Sequence, residues 1–268
     1  MTAIAPVDPF PTASSEFDVV GIPAFRDNYI WLLHRGGRAV VVDPGDAVPV
    51  EAALAHHGLQ LVAILVTHHH ADHQGGVAAL SERGRPAVYG PAAESITGLT
   101  HPLEGGESIR IEGFGSGFEV LAVPGHTRGH LAYRSGRRLF CGDTLFGAGC
   151  GRLFEGTPAQ MAASLARIAT LPDDTEVFCA HEYTEMNLRF ALAVEPDNAA
   201  VRARVEACRE QRGRGLPTVP STLAEEKATN PFLRCAEPAV VAAAVARGAR
   251  ADDPVDVFAT IRAWRNEF

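Results

Sequence analysis

The stretch Leu61-Val62-Ala63-Ile64-Leu65-Val66-Thr67-His68-His69-His70-Ala71-Asp72-His73-Gln74-Gly75-Gly76 decides the fold and the chemistry of this chain. Its first six residues form a short apolar run with β-branched side chains at Val62, Ile64 and Val66, which predicts a buried strand. That strand ends in three imidazoles and a carboxylate, at offsets 0, 2, 4 and 5 from His68. Histidine and aspartate are side chains that hold zinc and similar divalent ions, so the spacing predicts a metal-binding turn. On an extended turn, residues two apart point the same way, and His68 and His70 then face one ion together. His69 points away, as a packing or outer residue. Asp72 and His73 lie further along and serve a second ion beside the first.

Other apolar runs also stop at chemically capable residues. Arg38 to Val42 ends at Asp43-Pro44-Gly45, and Phe118 to Val123 ends at Pro124-Gly125-His126. Arg138 to Gly142 ends at Asp143, and Glu176 to Ala180 ends at His181. Strand ends that present His or Asp imply a rim where loops converge into a site. With His126, Asp143 and His181 added, the candidate ligands number five His and two Asp. One catalytic ion takes about three protein ligands and keeps a position open, so seven suit a pair of ions. Asp143, with two oxygens, is the natural shared ligand. Asp43 is a turn residue or an orienting partner for a ligand His. His130 is a supporting residue, and His34, His56, His57 and His101 are surface or structural.

Between the strands, 50–57 and 76–82 read as short helices. Residues 158–169 form a better one, with Thr157 as N-cap and Pro158 at the first position. Beyond His181 the texture changes, and 185–194, 197–212, 238–247 and 254–265 all read as helices. Val201, Val205 and Cys208 share one face of the second of these. The chain is therefore mixed α/β to about residue 180 and helical thereafter. The boundaries expected are a loose tail over 1–17, an α/β domain over 18–181 and a helical substrate-binding domain over 182–268.

The 268 residues are 46% hydrophobic, enough for a sizeable core, and the net charge of −8 argues against a nucleic-acid partner. The five cysteines are odd in number, widely spaced and never in CxxC form, which predicts reduced core thiols. The first fifteen residues carry no basic residue and no apolar core of a signal peptide. No stretch reaches the ~18 apolar residues that a membrane span needs. A cytoplasmic protein with no membrane partner is expected, and nothing demands more than a monomer.

These motifs resemble the metallo-β-lactamase superfamily. Ile22 to Trp31, Pro124 to His130, Gly149 to Thr157, Pro220 to Glu226 and Asn230 to Arg234 resemble its glyoxalase II branch, the hydroxyacylglutathione hydrolases. The resemblance implies an α+β architecture, an αββα sandwich followed by an all-α domain. It implies one metal on His68, His70 and His126, the other on Asp72, His73 and His181, and Asp143 between them. The cofactors are then two divalent ions per chain, zinc foremost, with iron or manganese as alternatives. The family holds glutathione through a Gly-Cys-Gly-Lys-x-Tyr stretch, a tyrosine after the last His ligand and basic residues near the C-terminus. Here Arg152 stands for that lysine and Phe154 for the first tyrosine, while Tyr183, beside His181, and Arg265 match. The second C-terminal basic residue has no counterpart before Phe268.

The implied reaction is hydrolysis of the thioester S-lactoylglutathione, and of related S-2-hydroxyacylglutathiones, to D-lactate and glutathione. This is the second step of methylglyoxal detoxification. Asp72 and Asp143 would act with a metal-bridging hydroxide, and no G-x-S-x-G nucleophile elbow is present. The rivals are a persulfide dioxygenase or lactonase on the same scaffold, and a non-catalytic metal-binding module.

Overall fold

The structure, a computed structural model, describes residues 17–115 and 117–268. Of the tail expected over 1–17, all but Phe17 lies outside the described residues. Two compact units emerge, the described part of Met1–Ala122 with Gly129–Gly136, and Val123–Arg128 with Arg137–Phe268.

In the first unit β1 (Asp18–Ala24), β2 (Asn28–Arg35) and β3 (Arg38–Val42) pair antiparallel in chain order. Strands β4 (Gln60–Leu65), β5 (Ala87–Pro91) and β6 (His101–Leu103) continue the sheet in parallel. Parallel strands covered on both faces are continuous apolar runs, and Val40, Val41, Val42, Ile64 and Leu65 are all buried. Each such side chain contributes about 1.5–3 kcal/mol on burial. Helices α1 (Ala47–His57), α2 (Ala71–Gln74) and α3 (Val77–Gly84) follow strand ends. Asp46 caps α1 by accepting the Val48 N–H, and Gly58 closes it in the left-handed conformation. Strands β7 (Ser108–Ile109), β8 (Phe118–Ala122) and β9 (Leu131–Ser135) form an antiparallel ladder.

In the second unit β10 (Arg138–Gly142) runs parallel to β13 (Glu176–Cys179), which pairs antiparallel with the two-residue β14 (Ser221–Thr222). A tight hairpin joins β11 (Leu145–Phe146) to β12 (Gly149–Cys150). Helix α4 (Pro158–Ala169) has the expected start, closed by a reciprocal capping box between Thr157 and Gln160. The helical part comprises α5 (Thr184–Val194), α6 (Ala199–Gly213), α7 (Leu223–Thr229), α8 (Pro238–Val245) and α9 (Pro254–Glu267). Val201 and Cys208 on α6 are buried against Leu188 and Ala191 of α5, with Val205 packed alongside. Helix α7 was not expected, because its seven residues carry too few apolar side chains to show a period. All five cysteines are free thiols, as expected. No helix among the described residues is long and apolar enough to cross a membrane.

Candidate metal centre

The first unit gathers its ligands around one buried carboxylate. Asp43 follows β3 with a positive φ of 52°, a conformation that Asp tolerates better than most residues. Its Oδ1 accepts the Thr67 N–H at 2.7 Å, and its Oδ2 accepts the Thr67 hydroxyl at 2.8 Å. Having donated to Asp43, the Thr67 hydroxyl acts as acceptor for His68 Nδ1, 3.0 Å away. His73 Nδ1 lies 3.0 Å from the same Asp43 Oδ2. Both imidazoles are therefore protonated at Nδ1 and present the Nε2 lone pair, the tautomer that a metal requires. Asp43 thus takes the orienting role rather than that of a turn residue alone.

His68 Nε2 and His70 Nδ1 converge to 3.0 Å. The segment stays extended only as far as His70, with φ −63° and ψ 147°; from Ala71 it turns into α2. Five extended residues would carry His73 roughly 16 Å beyond His68. The helical turn instead returns the two rings to a centroid separation of 4.0 Å. Asp72 accepts from Asn28 Nδ2 at 3.0 Å and lies 3.5 Å from His73 Nε2. His69 turns aside to Glu94, and buried His130 stacks on His68 at 4.6 Å, both as expected of supporting residues. His34, His56 and His57 pack on one another away from this cluster.

The second unit gathers His126, Asp143 and His181. His126 Nε2 lies 3.4 Å from Asp143 Oδ2, and His181 Nε2 lies 3.3 Å from Asp143 Oδ1. Each carboxylate oxygen is thus faced by a different imidazole. His126 Nδ1 donates to the Arg152 carbonyl at 2.7 Å, which again directs Nε2 inward. Gly151 lets this happen: a Cβ there would stand 1.9 Å from the Asp143 carbonyl oxygen and 3.2 Å from His126 Nδ1.

Beside His181 lies a cavity of about 290 Å³ lined by Arg152, Tyr183, Asn187, Arg262, Arg265 and Asn266, among others. Tyr183 stacks on His181 at 4.7 Å with the rings 4° from parallel, and Phe146 meets both rings edge-on. Three guanidinium groups and no carboxylate line the cavity, so it suits an anion. Burial, and then the charge of Arg262, hold Arg265 below the ordinary arginine value. Phe154 meets His126 edge-on at 5.2 Å and is 60% exposed.

Sequence reasoning missed three supports. Arg262, one turn before Arg265 on α9, donates to the Cys150 carbonyl at 2.9 Å, and its i, i+3 spacing was the available signal. Glu226, fully buried, accepts from Arg204 and Ser221 on one oxygen, and from Ala148 N–H and Asn230 on the other. Asn230 also donates to the carbonyls of Phe146 and Gly149, so α7 and its C-cap hold the β11–β12 hairpin. Glu94 is the third.

Residues 24–181 match the family model described as metallo-beta-lactamase superfamily, and residues 182–268 that described as hydroxyacylglutathione hydrolase C-terminus. The hydroxyacylglutathione hydrolase of Dechloromonas aromatica (strain RCB) is 62% identical over 261 residues, covering 92% of this chain and 98% of its own. That of Methylobacillus flagellatus is 55% identical over 252 residues, covering 94% and 100%. Among solved structures, ETHE1 from Myxococcus xanthus is similar at 30% identity and a TM-score of 0.58, covering 78% of this chain and 84% of its own. BLEG-1 B3 metallo-beta-lactamase is similar at 25% identity and a TM-score of 0.61, covering 80% and 98%. The α/β framework with His and Asp at its strand ends is that of the metallo-β-lactamase superfamily, the expected αββα sandwich, here with an all-α C-terminal part. Within it, this chain belongs to the hydroxyacylglutathione hydrolase, or glyoxalase II, family.

Proposed function

We infer that the chain hydrolyses S-lactoylglutathione and related S-2-hydroxyacylglutathiones to D-lactate and glutathione, as a dinuclear metal-dependent thioester hydrolase. The observation that carries this reading is the arginine-lined cavity joined to His181 through the Tyr183 ring. An anionic thiol carrier seated there would place its thioester beside a carboxylate flanked by two imidazoles.

The donor set fits divalent ions, because His68, His73 and His126 each have Nδ1 engaged and Nε2 turned to the site. His68, His70 and His126 would hold one ion, Asp72, His73 and His181 the other, and Asp143 would be shared. Zinc suits these N and O ligands, as do iron and manganese. When bound, the ions supply Lewis acidity, acidifying water to a hydroxide nucleophile and polarising the thioester carbonyl.

The chain's own residues do the rest. Asp72, which accepts from Asn28, would take the proton of the attacking water. Arg152 and Arg265 grip the carboxylates of the glutathione part, and Tyr183 positions it against His181. Phe154 supplies a ring face without the hydroxyl that a tyrosine would offer, a loss of about 0.5–1.5 kcal/mol of hydrogen bonding. No thiolate is poised to act as nucleophile: burial pushes the Cys141 thiol well up and that of Cys179 to about 12.

The chain would work as a monomer in the cytoplasm, with a metallo-β-lactamase-like domain over 18–181 and a substrate-binding domain over 182–268. The test is thiol release from S-lactoylglutathione, run beside oxygen uptake on glutathione persulfide. Thiol release without oxygen uptake is expected; oxygen uptake alone would replace this reading with a persulfide dioxygenase. Arg152→Ala should raise KM more than it lowers kcat.

A further inference from the structure

The two metal-directed imidazoles His68 and His70 are separated by one residue, so the angle between them depends on the φ and ψ of His69. A peptide unit is planar and leaves only those two soft rotations per residue. Both main-chain groups of His69 are held by side chains from elsewhere in the fold. Its N–H donates to Glu94 Oε2 at 2.7 Å, and its carbonyl accepts from Gln74 Nε2. Its ring is fixed as well, with Nδ1 2.9 Å from the same Glu94 oxygen.

The holders are themselves anchored. The Glu94 side chain is only 4% exposed, and its second oxygen accepts the Gly129 N–H at 2.9 Å. The approach is close enough that a Cβ at Gly129 would fall 2.7 Å from Glu94 Cγ. The residue after Gly129 is His130, whose ring stacks on His68, and Leu131 N–H donates to the Thr67 carbonyl at 2.9 Å. Gln74 donates in addition to the Ser95 carbonyl at 3.0 Å and accepts the Thr97 N–H at 2.7 Å. Residues 94–97, in the loop between β5 and β6, therefore clamp the ligand loop from one side, and 129–131 close it from the other.

We propose that Glu94 and Gln74 are positioning residues, which set the relative direction of His68 and His70 by fixing the main chain of His69. Neither belongs to the ligand set proposed above. The proposal rests on the reading that His68 and His70 hold a metal ion, and it adds what aims them.

The test uses the full-length holoenzyme and three readouts: metal retained against graded chelator, the visible spectrum after cobalt substitution, and kcat separately from KM. Loss of an outer partner of a metal ligand typically costs 10–100-fold in affinity. Glu94→Ala is expected to lower metal affinity by about that factor, to alter the cobalt ligand-field bands and to lower kcat while KM stays within twofold. Glu94→Gln, which keeps length and one acceptor oxygen, should recover a large part of the affinity. Gln74→Ala, a milder cut at the opposite side of His69, should shift the same bands in a protein that stays folded if Glu94→Ala does not. Wild-type affinity and an unchanged spectrum in Glu94→Ala, or in Gln74→Ala where the former is unfolded, would overturn the proposal. His68→Ala is the control for the reading beneath it. If that variant holds cobalt like the wild type, the metal assignment fails and the brace has no ligand to aim.

Discussion

In the first unit four candidate ligands fall within six consecutive residues, His68 to His73, and side chains orient them: Asp43, Thr67, Glu94 and Gln74. In the second unit His126, Asp143 and His181 come from three separate segments, and main chain orients His126. The Arg152 carbonyl holds His126, and the absence of a side chain at Gly151 lets Asp143 and His126 sit together. A half-site aimed by side chains can be loosened by removing one functional group. A half-site aimed by main chain is indifferent to such losses and sensitive to whatever shifts the backbone.

The contrast can be broken at several points. Glu226→Ala should have the largest effect, since it strips a fully buried carboxylate from Arg204 and three further donors in the second unit. Leaving a buried charge without its partner costs about 3–5 kcal/mol, and the remaining Arg204–Glu225 pair at 3.2 Å puts this case at the low end of that range. Urea unfolding should show a loss of that size, and a change under 1 kcal/mol would mean that the β11–β12 hairpin does not depend on this network. Gly151→Ala comes next. The new Cβ forces the main chain away from Asp143, and misplacement of about 1 Å at a reacting centre costs on the order of 10²-fold. Activity should fall by that factor with fewer than two ions per chain by elemental analysis; wild-type values would show that the second half is not set by main chain. Asp43→Asn probes the other strategy with a residue that tolerates the same backbone but turns one acceptor oxygen into an amide donor facing Thr67 or His73. Metal affinity should drop about 10–100-fold, and retention of full affinity would sink the claim that the first half is aimed by side chains.

The smallest effect is on the part of the pH dependence of stability that comes from the cysteines, all five of which lie in the second unit. Burial pushes Cys208 up to about 11 and Cys235 to about 12, from an ordinary value of 9.0. A raised folded-state value means that the stability from the protonated thiol is complete below 9 and is lost as pH rises toward 11 and 12. Substitution of both by Ser should flatten the alkaline fall in melting temperature between pH 9 and 11. An unchanged slope would mean that other groups cause it.

Much of this was legible before any coordinates. The apolar runs ending at Asp43, His68, His126, Asp143 and His181 are strands or strand exits where expected; all but the antiparallel strand before His126 have a parallel neighbour, and a buried parallel strand has no polar face to obscure it. The start of α4 was legible because Thr157 and Pro158 act within a single turn. Glu94 and Glu226 were not legible. Their partners lie far off in the chain, at Gly129 for one and at Ala148 and Arg204 for the other, and acidic residues mid-chain are ordinarily solvated.

The sequence by itself determined which side chains are able to bind metal and, in Arg152 and Arg265, which cationic groups are candidates to meet the substrate. Ligand identity and charge are properties of the residues, and they survive any rearrangement of the chain. Only the tertiary structure decided where those groups point: the turn into α2 that returns His73 to His68, the Asp43 carboxylate that sets two tautomers, and the grip of Glu94 and Gln74 on His69. Direction depends on hydrogen bonds between residues distant in sequence, and no local pattern of side chains encodes such bonds.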